Sequence, residues 1–334
     1  MWTDNASKID MLFYKPYADI ISETAINTDD EPLTIGIFGL WGAGKSTLLN
    51  MIQESYQEDN GIICLSINAW MFENYEDAKT AVMESLIQGL GESVPEKLKN
   101  SFITLLKKID FMKVGSKAVS VAAPIVASLA TGNPVPLVLN LPNEAKEIEN
   151  VIKNISDSVK GIKDNYLKEE TPVNESMVGN IRAFRKEFED ALKSDEIKRV
   201  VVLIDDLDRC QPERIIETLE VIKLFLSVQK TTFIIAADDN VIQYAIKKRY
   251  PNVDGFNVEL DKEYIEKMIQ IPIQIPELSS KDVQNYLLLL VFQKYMEMAK
   301  FEILIEKLEE SKLMVNSSPL EIKQIEDLYG NIQD

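Results

Sequence analysis

The chain has 334 residues, of which 46% are hydrophobic and 27% charged, as is ordinary for a soluble globular protein. This length suffices for one large domain plus a small one, or for a domain with a sizeable insertion. The formal net charge of −18 argues against a sequence-independent grip on DNA or RNA, which depends on Lys and Arg. The chain contains no histidine, which excludes Ser-His and Cys-His catalysis and leaves acid–base work to carboxylates.

The cysteines and the N-terminus predict a cytoplasmic protein. Cys64 and Cys210 each lie beside an apolar strand pattern and lack the spacing of metal ligands, so we expect reduced thiols in the core. The first ten residues, MWTDNASKID, are polar and charged and do not resemble a signal peptide.

The first strand pattern leads directly into a glycine-bearing loop. Apolar residues at helical spacing run from Ile9 to Ile26, and the apolar run Leu33 to Phe38 reads as a buried strand. The segment from Gly39 to Ser46, GLWGAGKS, fills every position of G-x-x-x-x-G-K-S/T, and a helical pattern follows it. The sequence therefore predicts a phosphate-binding loop between strand and helix.

The residue types in this loop fit the chemistry of a nucleoside triphosphate. Glycines let several backbone N–H groups point at one phosphate, and the following helix adds its positive N-terminal end. Lys45 is expected to reach the β- and γ-phosphates, and the Ser46 hydroxyl to bind Mg²⁺. The Ile9–Ile26 pattern either packs over the nucleotide base or braces the sheet. The predicted nucleotide-binding residues here are Gly39, Trp41, Gly42, Ala43, Gly44, Lys45, Ser46 and Thr47.

A second strand is predicted from Gly61 to Ile67, and an uncharged stretch of 26 residues occupies 118–143. Four prolines divide that stretch into pieces of about 13 residues and fewer, whereas a membrane span needs about 20. A buried or re-entrant segment is therefore favoured, and membrane contact stays the alternative. The predicted helices around it are Asp77–Leu90, Pro95–Lys108, Glu144–Lys168 and Ser176–Lys193.

The second half of the chain alternates strands and helices. The continuously apolar run Arg199–Asp205 is typical of a central parallel strand covered on both faces. The other predicted elements are a helix at Ile215–Leu226, a buried strand at Thr231–Ala237, a helix at Val241–Tyr250, an edge strand at Ile271–Ile275, one long helix at Lys281–Glu310, and a last helix opened by a capping box at Ser318–Glu321.

This alternation predicts an α/β fold, a P-loop NTPase with a parallel sheet flanked by helices. The phosphate loop and the acidic strand that follows Ile197 are too far apart for one crossover, so a long helical insertion is expected between them. We predict a core of residues 1–75 and 198–276, a helical insertion at 76–197, and a helical C-terminal subdomain at 277–334.

Three aspartates follow the strand that ends at Asp205. A carboxylate at the end of a strand neighbouring the loop is where Mg²⁺ binds, so Asp205 is the predicted metal ligand beside Ser46. Asp206 is predicted to polarise the attacking water, with Asp208 as the rival.

Further candidates lie on either side. Asp238 follows the next strand and either senses the γ-phosphate or caps a helix. Arg209 is the candidate cation for the transition state, provided in cis or by a neighbouring subunit. Arg249 more simply ends a helix, and Lys267 is a weaker candidate cation.

With these residues in hand, the chain resembles the KAP family of P-loop NTPases over most of its length outside the insertion. The resemblance is carried by Asp10 with Tyr17-Ala18, the tryptophan-bearing loop Gly39–Ser46, Asn68-Ala69-Trp70, the string Asp205–Cys210, and Tyr264–Pro272. It implies an ATPase of the additional-strand class, related to STAND and AAA-like NTPases, with an insertion that often carries membrane helices. It also implies ATP and Mg²⁺ as ligands, a role in anti-phage defence, and a homo-oligomer or a partner defence protein. The tail after Pro276 is short for the family, as expected of a fragment or of a chain without an effector domain.

Three functions fit the sequence. The leading hypothesis is an Mg²⁺-dependent ATPase whose cycle switches assembly or a partner. The alternative is a nucleotide-gated scaffold that barely hydrolyses ATP and acts through protein–protein contacts. A small-molecule kinase is weaker, because three aspartates in four positions suit water activation better than an acceptor pocket. GTP is disfavoured, since the base-reading motif N/T-K-x-D is not found.

Overall fold

The computed structural model describes residues 9–57, 59, 61–75, 77–109, 177–225, 228–250, 260–311, 313–315 and 318–333. The chain divides into two compact units, one of Met1–Leu106 with Glu187–Asp334 and one of Lys107–Lys186. In the second unit, residues 107–109 and 177–186 are described, and they are helical. The predicted apolar segment 118–143 and the predicted helix Glu144–Lys168 lie outside the described residues. The predicted domain boundaries at 76 and 197 stay predictions.

A five-stranded parallel sheet forms the centre of the first unit, with the order β2-β3-β4-β1-β5. The strands are β1 (Leu33–Phe38), β2 (Ile62–Asn68), β3 (Arg199–Asp205), β4 (Thr231–Ala237) and β5 (Ile271–Gln274). β1 and β4 are buried along their whole length, as their continuous apolar runs predict, and β5 is the edge strand that its prolines predict. The predicted α/β fold is confirmed.

One expectation about strand order is wrong. The acidic strand β3 does not neighbour the phosphate-loop strand β1, because β4 pairs with both and lies between them. Hydrophobicity alone cannot order these strands, since all three are buried on both faces. The intervening strand agrees with the additional-strand class that the resemblance implies.

Helices cover the sheet and form the C-terminal part of the chain. They are α1 (Lys15–Ile26), α2 (Lys45–Ser55), α3 (Ala78–Ser93), α4 (96–109), α5 (Met177–Leu192), α6 (Pro212–Phe225), α7 (Asp239–Arg249), α8 (Leu260–Met268), α9 (Ser280–Tyr295), α10 (Met298–Ser311) and α11 (Ile322–Gln333). Of the helices that the structure describes, none combines the length and apolar character needed to cross a bilayer.

Buried apolar side chains in the described part of the first unit include the following two clusters. One lies between the sheet and helices α1 and α2 and includes Tyr14, Ile21, Ile35 and Leu48. The other lies among the C-terminal helices α9, α10 and α11. Met11 belongs to this second cluster although it lies near the N-terminus. Helix α1 therefore braces the sheet, one of its two predicted roles.

The predicted helix Ile9–Ile26 begins only at Lys15. The Asp10 carboxylate accepts hydrogen bonds from the backbone N–H groups of Leu12 (3.2 Å) and Lys15 (2.8 Å), which turns the chain ahead of the helix. Phe13 takes a left-handed conformation with φ 58°, which no helix continues through. Residues 9–14 therefore form an irregular, turning approach to α1 and not its first turns.

The predicted long helix Lys281–Glu310 is two helices, α9 and α10, separated at Met296. The break lets Phe301 and Leu304 of α10 pack in the same buried cluster as Leu289 of α9. A single straight helix would leave these side chains in water, so burial of apolar surface favours the turn.

The capping box predicted at Ser318–Glu321 does not open the last helix, which begins at Ile322. Leu320 N–H donates to the buried Asn285 Oδ1 on α9 at 2.8 Å, and this contact holds Leu320 outside the helix. A capping box is present elsewhere, at Ser279 and Asp282 on α9.

Candidate nucleotide-binding site

The loop between β1 and α2 has the backbone that its glycines predict. Gly42 and Gly44 take left-handed conformations, with φ of 80° and 83°, and Gly44 is the N-cap of α2. Ala43 N–H donates to the Leu40 carbonyl at 3.1 Å and closes the loop. The N-terminus of α2 thus lies at the loop, where the helix dipole favours an anion.

Lys45 is buried at the centre of this loop. Its ammonium group donates to the carbonyl oxygens of Gly39 (2.9 Å) and Leu40 (3.2 Å) and lies 3.3 Å from Asp208 Oδ2. The side chains of Lys45 and Asp208 are only 8% and 12% exposed, so little water screens this ion pair. An amine held in this way points its charge at the space over the loop.

Asp205 ends β3 and contacts the loop from across the sheet. Its carboxylate is hydrogen-bonded to the Ser46 hydroxyl and, through Oδ1, accepts the N–H of Asp206 at 2.8 Å. Burial raises the pKa of Asp205 above its usual range, and the Ser46 hydrogen bond opposes this rise without cancelling it. A cation beside Asp205 would therefore stabilise its charged form.

Asp206 is held by a partner at each oxygen. Oδ1 lies 2.7 Å from the Arg209 Nε, and Oδ2 accepts a hydrogen bond from Asn68 Nδ2 at 2.8 Å. Asp206 itself takes a left-handed conformation with φ 56°, which is unusual for a residue other than glycine and more common for Asp and Asn than for most others. With the backbone in this conformation, Asp205 and Asp206 both line the same cavity.

Asp208 and Asp238 connect the acidic turn to β4. Asp238 N–H donates to Asp208 Oδ2 at 2.9 Å, the same oxygen that pairs with Lys45. The Asp238 side chain accepts hydrogen bonds from Asn240 and caps α7. Of the two roles considered for Asp238, the helix cap is therefore the one that its present contacts fill.

These side chains line one cavity of about 240 Å³. The phosphate loop and the acidic turn provide most of its polar side chains, and residues of the N-terminal segment, Leu278 and Tyr286 of α9 complete it. The lining residues are Ile9, Asp10, Met11, Leu12, Trp41, Gly42, Gly44, Lys45, Ser46, Thr47, Asp205, Asp206, Asp208, Arg209, Leu278 and Tyr286. Arg249 instead packs on the ring of Tyr250, and Lys267 pairs with Glu263 on the same helix.

Residues 11–327 of the chain match the family described as the KAP family P-loop domain. The chain belongs to the KAP family. The family thus covers nearly the whole chain, including the loop, the acidic turn and the C-terminal helices, and the resemblance seen in the sequence is confirmed.

Two curated proteins are similar to this KAP domain. The Phage T7 exclusion protein of Escherichia coli strain K12 is 23% identical over 258 residues, which cover 75% of this chain and 31% of that protein. An uncharacterized protein of Methanocaldococcus jannaschii is 26% identical over 174 residues, 51% of this chain and 88% of that protein. The chain therefore spans about a third of the length of the phage exclusion protein.

Among solved structures, the Aeropyrum pernix ORC2 protein in its ADPNP and ADP complexes is similar at 12% identity and a TM-score of 0.36. The match covers 95% of this chain and 68% of that chain.

The donor set of the KAP domain fits a magnesium ion that is shared with a phosphate. Among the described residues, no three Cys, Asp or Glu side chains are grouped closely enough to hold a metal. Mg²⁺ is usually held by one or two carboxylates together with substrate phosphates and water, and not by a full protein cage. Ser46 and Asp205, hydrogen-bonded to each other beside the loop, match that requirement.

Sequence reasoning missed two residues that line the cavity and one that holds Asp206. Leu278 and Tyr286 belong to the C-terminal part of the chain, and no motif marks them. Asn68 was part of the family resemblance, but nothing in its spacing predicted a contact with Asp206. Its position at the end of a strand pattern is the one signal that could have suggested it, because the carboxyl ends of parallel strands meet at one edge.

Besides its positive φ, the proximity of Tyr14 is a second reason why position 44 requires glycine. A Cβ placed on Gly44 would lie 2.8 Å from the Tyr14 ring, whereas a Cβ on Gly42 would have no atom within 4 Å. Both positions have the same left-handed conformation. A substitution at Gly42 therefore introduces backbone strain alone, whereas a substitution at Gly44 adds crowding against a side chain.

We expect Gly44→Ala to destabilise the unliganded protein more than Gly42→Ala does. Each variant carries roughly 1–2 kcal/mol of left-handed strain, and crowding against Tyr14 adds about 1–3 kcal/mol to Gly44→Ala alone. The measurement is urea unfolding without nucleotide. Equal midpoints for the two variants would contradict the proposed contact.

Proposed function

We propose that this KAP domain is an Mg²⁺-dependent ATPase that uses ATP binding and hydrolysis to switch its assembly or a partner. The observation that carries the proposal is the common cavity of the phosphate loop and the acidic turn. Lys45 and Asp208 form an ion pair there although β4 separates their strands. The charges needed for a triphosphate and its metal thus share one space.

In this proposal Lys45 binds the β- and γ-phosphates, exchanging the carbonyls of Gly39 and Leu40 for phosphate oxygens. Ser46 and Asp205 would hold Mg²⁺, which neutralises charge that develops on the phosphates. The raised pKa of Asp205 supports this assignment, because burial leaves its charge poorly solvated until a cation approaches.

The apolar part of the cavity lining suits the nucleotide base. Met11, Leu12, Leu278 and Tyr286 line it with apolar and aromatic surface, on which a purine ring can pack. In this proposal the Ile9–Ile26 segment serves both of its predicted purposes, since residues 9–12 line the cavity and α1 braces the sheet.

The contacts distinguish the two candidate aspartates. Asp208 Oδ2 is occupied by Lys45 and by the Asp238 N–H, so we assign Asp208 the role of holding Lys45. Asp206 lines the cavity with partners at its sides, so we assign it the positioning of the attacking water. Arg209, 2.7 Å from Asp206 and 42% exposed at its side chain, is near enough to contribute positive charge in cis.

Contacts of the N-terminal segment support a route for the proposed switch. Asp10 to Leu12 line the cavity, and Met11 is also buried in the cluster formed by α9, α10 and α11. Tyr14, two residues further on from Leu12, packs against Gly44 of the phosphate loop. A change in the loop on nucleotide binding therefore bears directly on the packing of the C-terminal helices.

The biological setting that we propose is anti-phage defence in the cytoplasm. The support is the similarity to a protein named for the exclusion of phage T7. This chain spans only 31% of that protein. The output of the switch, the oligomeric state of this chain and its partner are therefore part of the proposal and are not taken from the comparison.

The hydrolysis proposal predicts three different defects. Lys45→Ala should weaken ATP binding at least about tenfold, since it loses charge-assisted hydrogen bonds. Asp206→Asn should bind ATP normally and lower kcat by about 10²- to 10⁴-fold, as expected for a lost general base. Asp208→Asn should act mainly on ATP affinity, through Lys45. Equilibrium binding and single-turnover phosphate release measure the two effects separately.

The alternative, a scaffold that retains ATP, is favoured by one feature: both oxygens of Asp206 are already engaged. Wild-type protein that holds ATP for hours in the single-turnover assay would establish the scaffold and contradict the ATPase. Normal turnover by Asp206→Asn together with slow chemistry in Asp208→Asn would reverse the assignment of the two aspartates.

The switch proposal predicts that ATP and Mg²⁺ slow amide hydrogen exchange in α9 and α10. Met11→Ala should reduce this protection at saturating ATP, because it removes the side chain that joins the cavity to the C-terminal cluster. Met298→Ala, which changes an exposed methionine on α10, is the matched control and should keep the protection. Equal protection in wild type and Met11→Ala would contradict the route.

The defence proposal predicts that bacteria carrying the protein resist infection only with a working phosphate loop. Plaque counts should be lower with wild type than with Lys45→Ala at matched expression. Equal counts for these two strains across a phage panel would contradict a nucleotide-dependent defence role.

A further inference from the structure

Asn68 connects the acidic turn to an exposed turn of the surface. It is the last residue of β2 and pairs in register with Asp205 of β3. Its Oδ1 accepts the N–H of Trp70 at 3.0 Å, and its Nδ2 donates to Asp206 Oδ2 at 2.8 Å. The Trp70 N–H is only a donor, so the oxygen of the amide must face it and the nitrogen must face Asp206.

The two contacts of Asn68 are different in kind. The bond to Trp70 caps the 3₁₀ turn Ala69–Phe72, a task that Ser, Asp or Thr would also perform. The bond to Asp206 requires a donor at the same time, and among the preferred capping residues the amide of Asn accepts and donates through separate atoms. The capping role alone therefore does not explain the choice of residue.

Arg209 contacts Asp206 from a more exposed position than Asn68 does. Arg209 lies three residues further along the same turn, and its long side chain is 42% exposed, so solvent screens its charge and its rotamers are less confined. Asn68 is a short side chain at the end of β2, an edge strand of the sheet, 138 residues away in sequence. It therefore ties the carboxylate to the sheet itself.

We propose that Asn68 is a positioning residue for Asp206, holding its carboxylate in the orientation that aligns the attacking water. This inference rests on the proposed hydrolysis. It also makes the turn Ala69–Phe72 part of the catalytic geometry, because the amide that caps this turn is the one that orients Asp206. Trp70 and Met71 on this turn are 53% and 72% exposed, so the turn is open to the surroundings of the protein.

Two substitutions separate positioning from capping. Asn68→Asp has the same size and keeps the cap, but it places an acceptor against Asp206. Asn68→Ser keeps the cap with a shorter side chain that does not reach Asp206. Asp77→Ala is the control for a lost cap in this region, because Asp77 caps α3 through Thr80 N–H and lies outside the cavity.

We expect both Asn68 variants to lower kcat by about 10- to 100-fold, the fold-change that corresponds to losing a hydrogen bond to a charged group. ATP affinity should stay close to wild type in both, since Lys45 is untouched. The thermal midpoint of Asn68→Ser should also stay close to wild type because the cap is kept, whereas that of Asn68→Asp should fall because two carboxylates then face each other. Asp77→Ala should lower the thermal midpoint slightly and leave kcat unchanged. The measurements are single-turnover phosphate release at saturating ATP, equilibrium ATP binding and thermal unfolding.

The outcomes are distinct. Unchanged kcat in either folded Asn68 variant, with an active wild type, would overturn this inference and leave the ATPase proposal in place. A loss of affinity equal to the loss of kcat would also overturn it, because Asn68 would then act on binding. Wild-type protein that binds ATP without turnover would contradict both proposals. Should Asn68→Asp fail to fold, Asn68→Ser decides the question.

Discussion

The buried ion pair between Lys45 and Asp208 is the interaction on which the site depends. Each charge has left most of its water, so each needs the other and the hydrogen bonds around it: two loop carbonyls for Lys45 and the Asp238 N–H for Asp208. Loss of one partner from such a pair leaves an uncompensated buried charge, which costs several kcal/mol. The pair therefore fixes the distance between the phosphate loop and the acidic turn.

Parallel strand registry makes this pair possible. β4 pairs along its length with β1 on one side and β3 on the other, so the loop after β1 and the turn after β3 leave the sheet at the same edge. The N–H at the end of β4 completes the arrangement by binding Asp208. β4 thus separates the two strands that carry the halves of the site, and it also connects these halves through the Asp238 N–H.

The N-terminal segment gives this site a physical connection to the rest of the first unit. Within four residues, it places Met11 in the C-terminal cluster and Tyr14 in the cluster beneath the sheet, while its backbone turns at Asp10 and Phe13. Met11 and Leu12 line the cavity, so a ligand bound there would lie beside side chains of both packed regions. Such a junction is a favourable place for nucleotide binding to alter packing elsewhere.

The sequence by itself determined the strands, the loop and the identity of most polar site residues. Continuous apolar runs predict the buried strands. The glycines of the loop from Gly39 to Ser46 predict its backbone conformation. Only the tertiary structure decided that β4 separates β1 from β3, that the chain turns at Met296, and that Asn68 holds Asp206. The physical reason is that periodicity records which faces of a segment are buried but not which neighbour buries them. Strand order and contacts across 138 residues depend on that choice of neighbour.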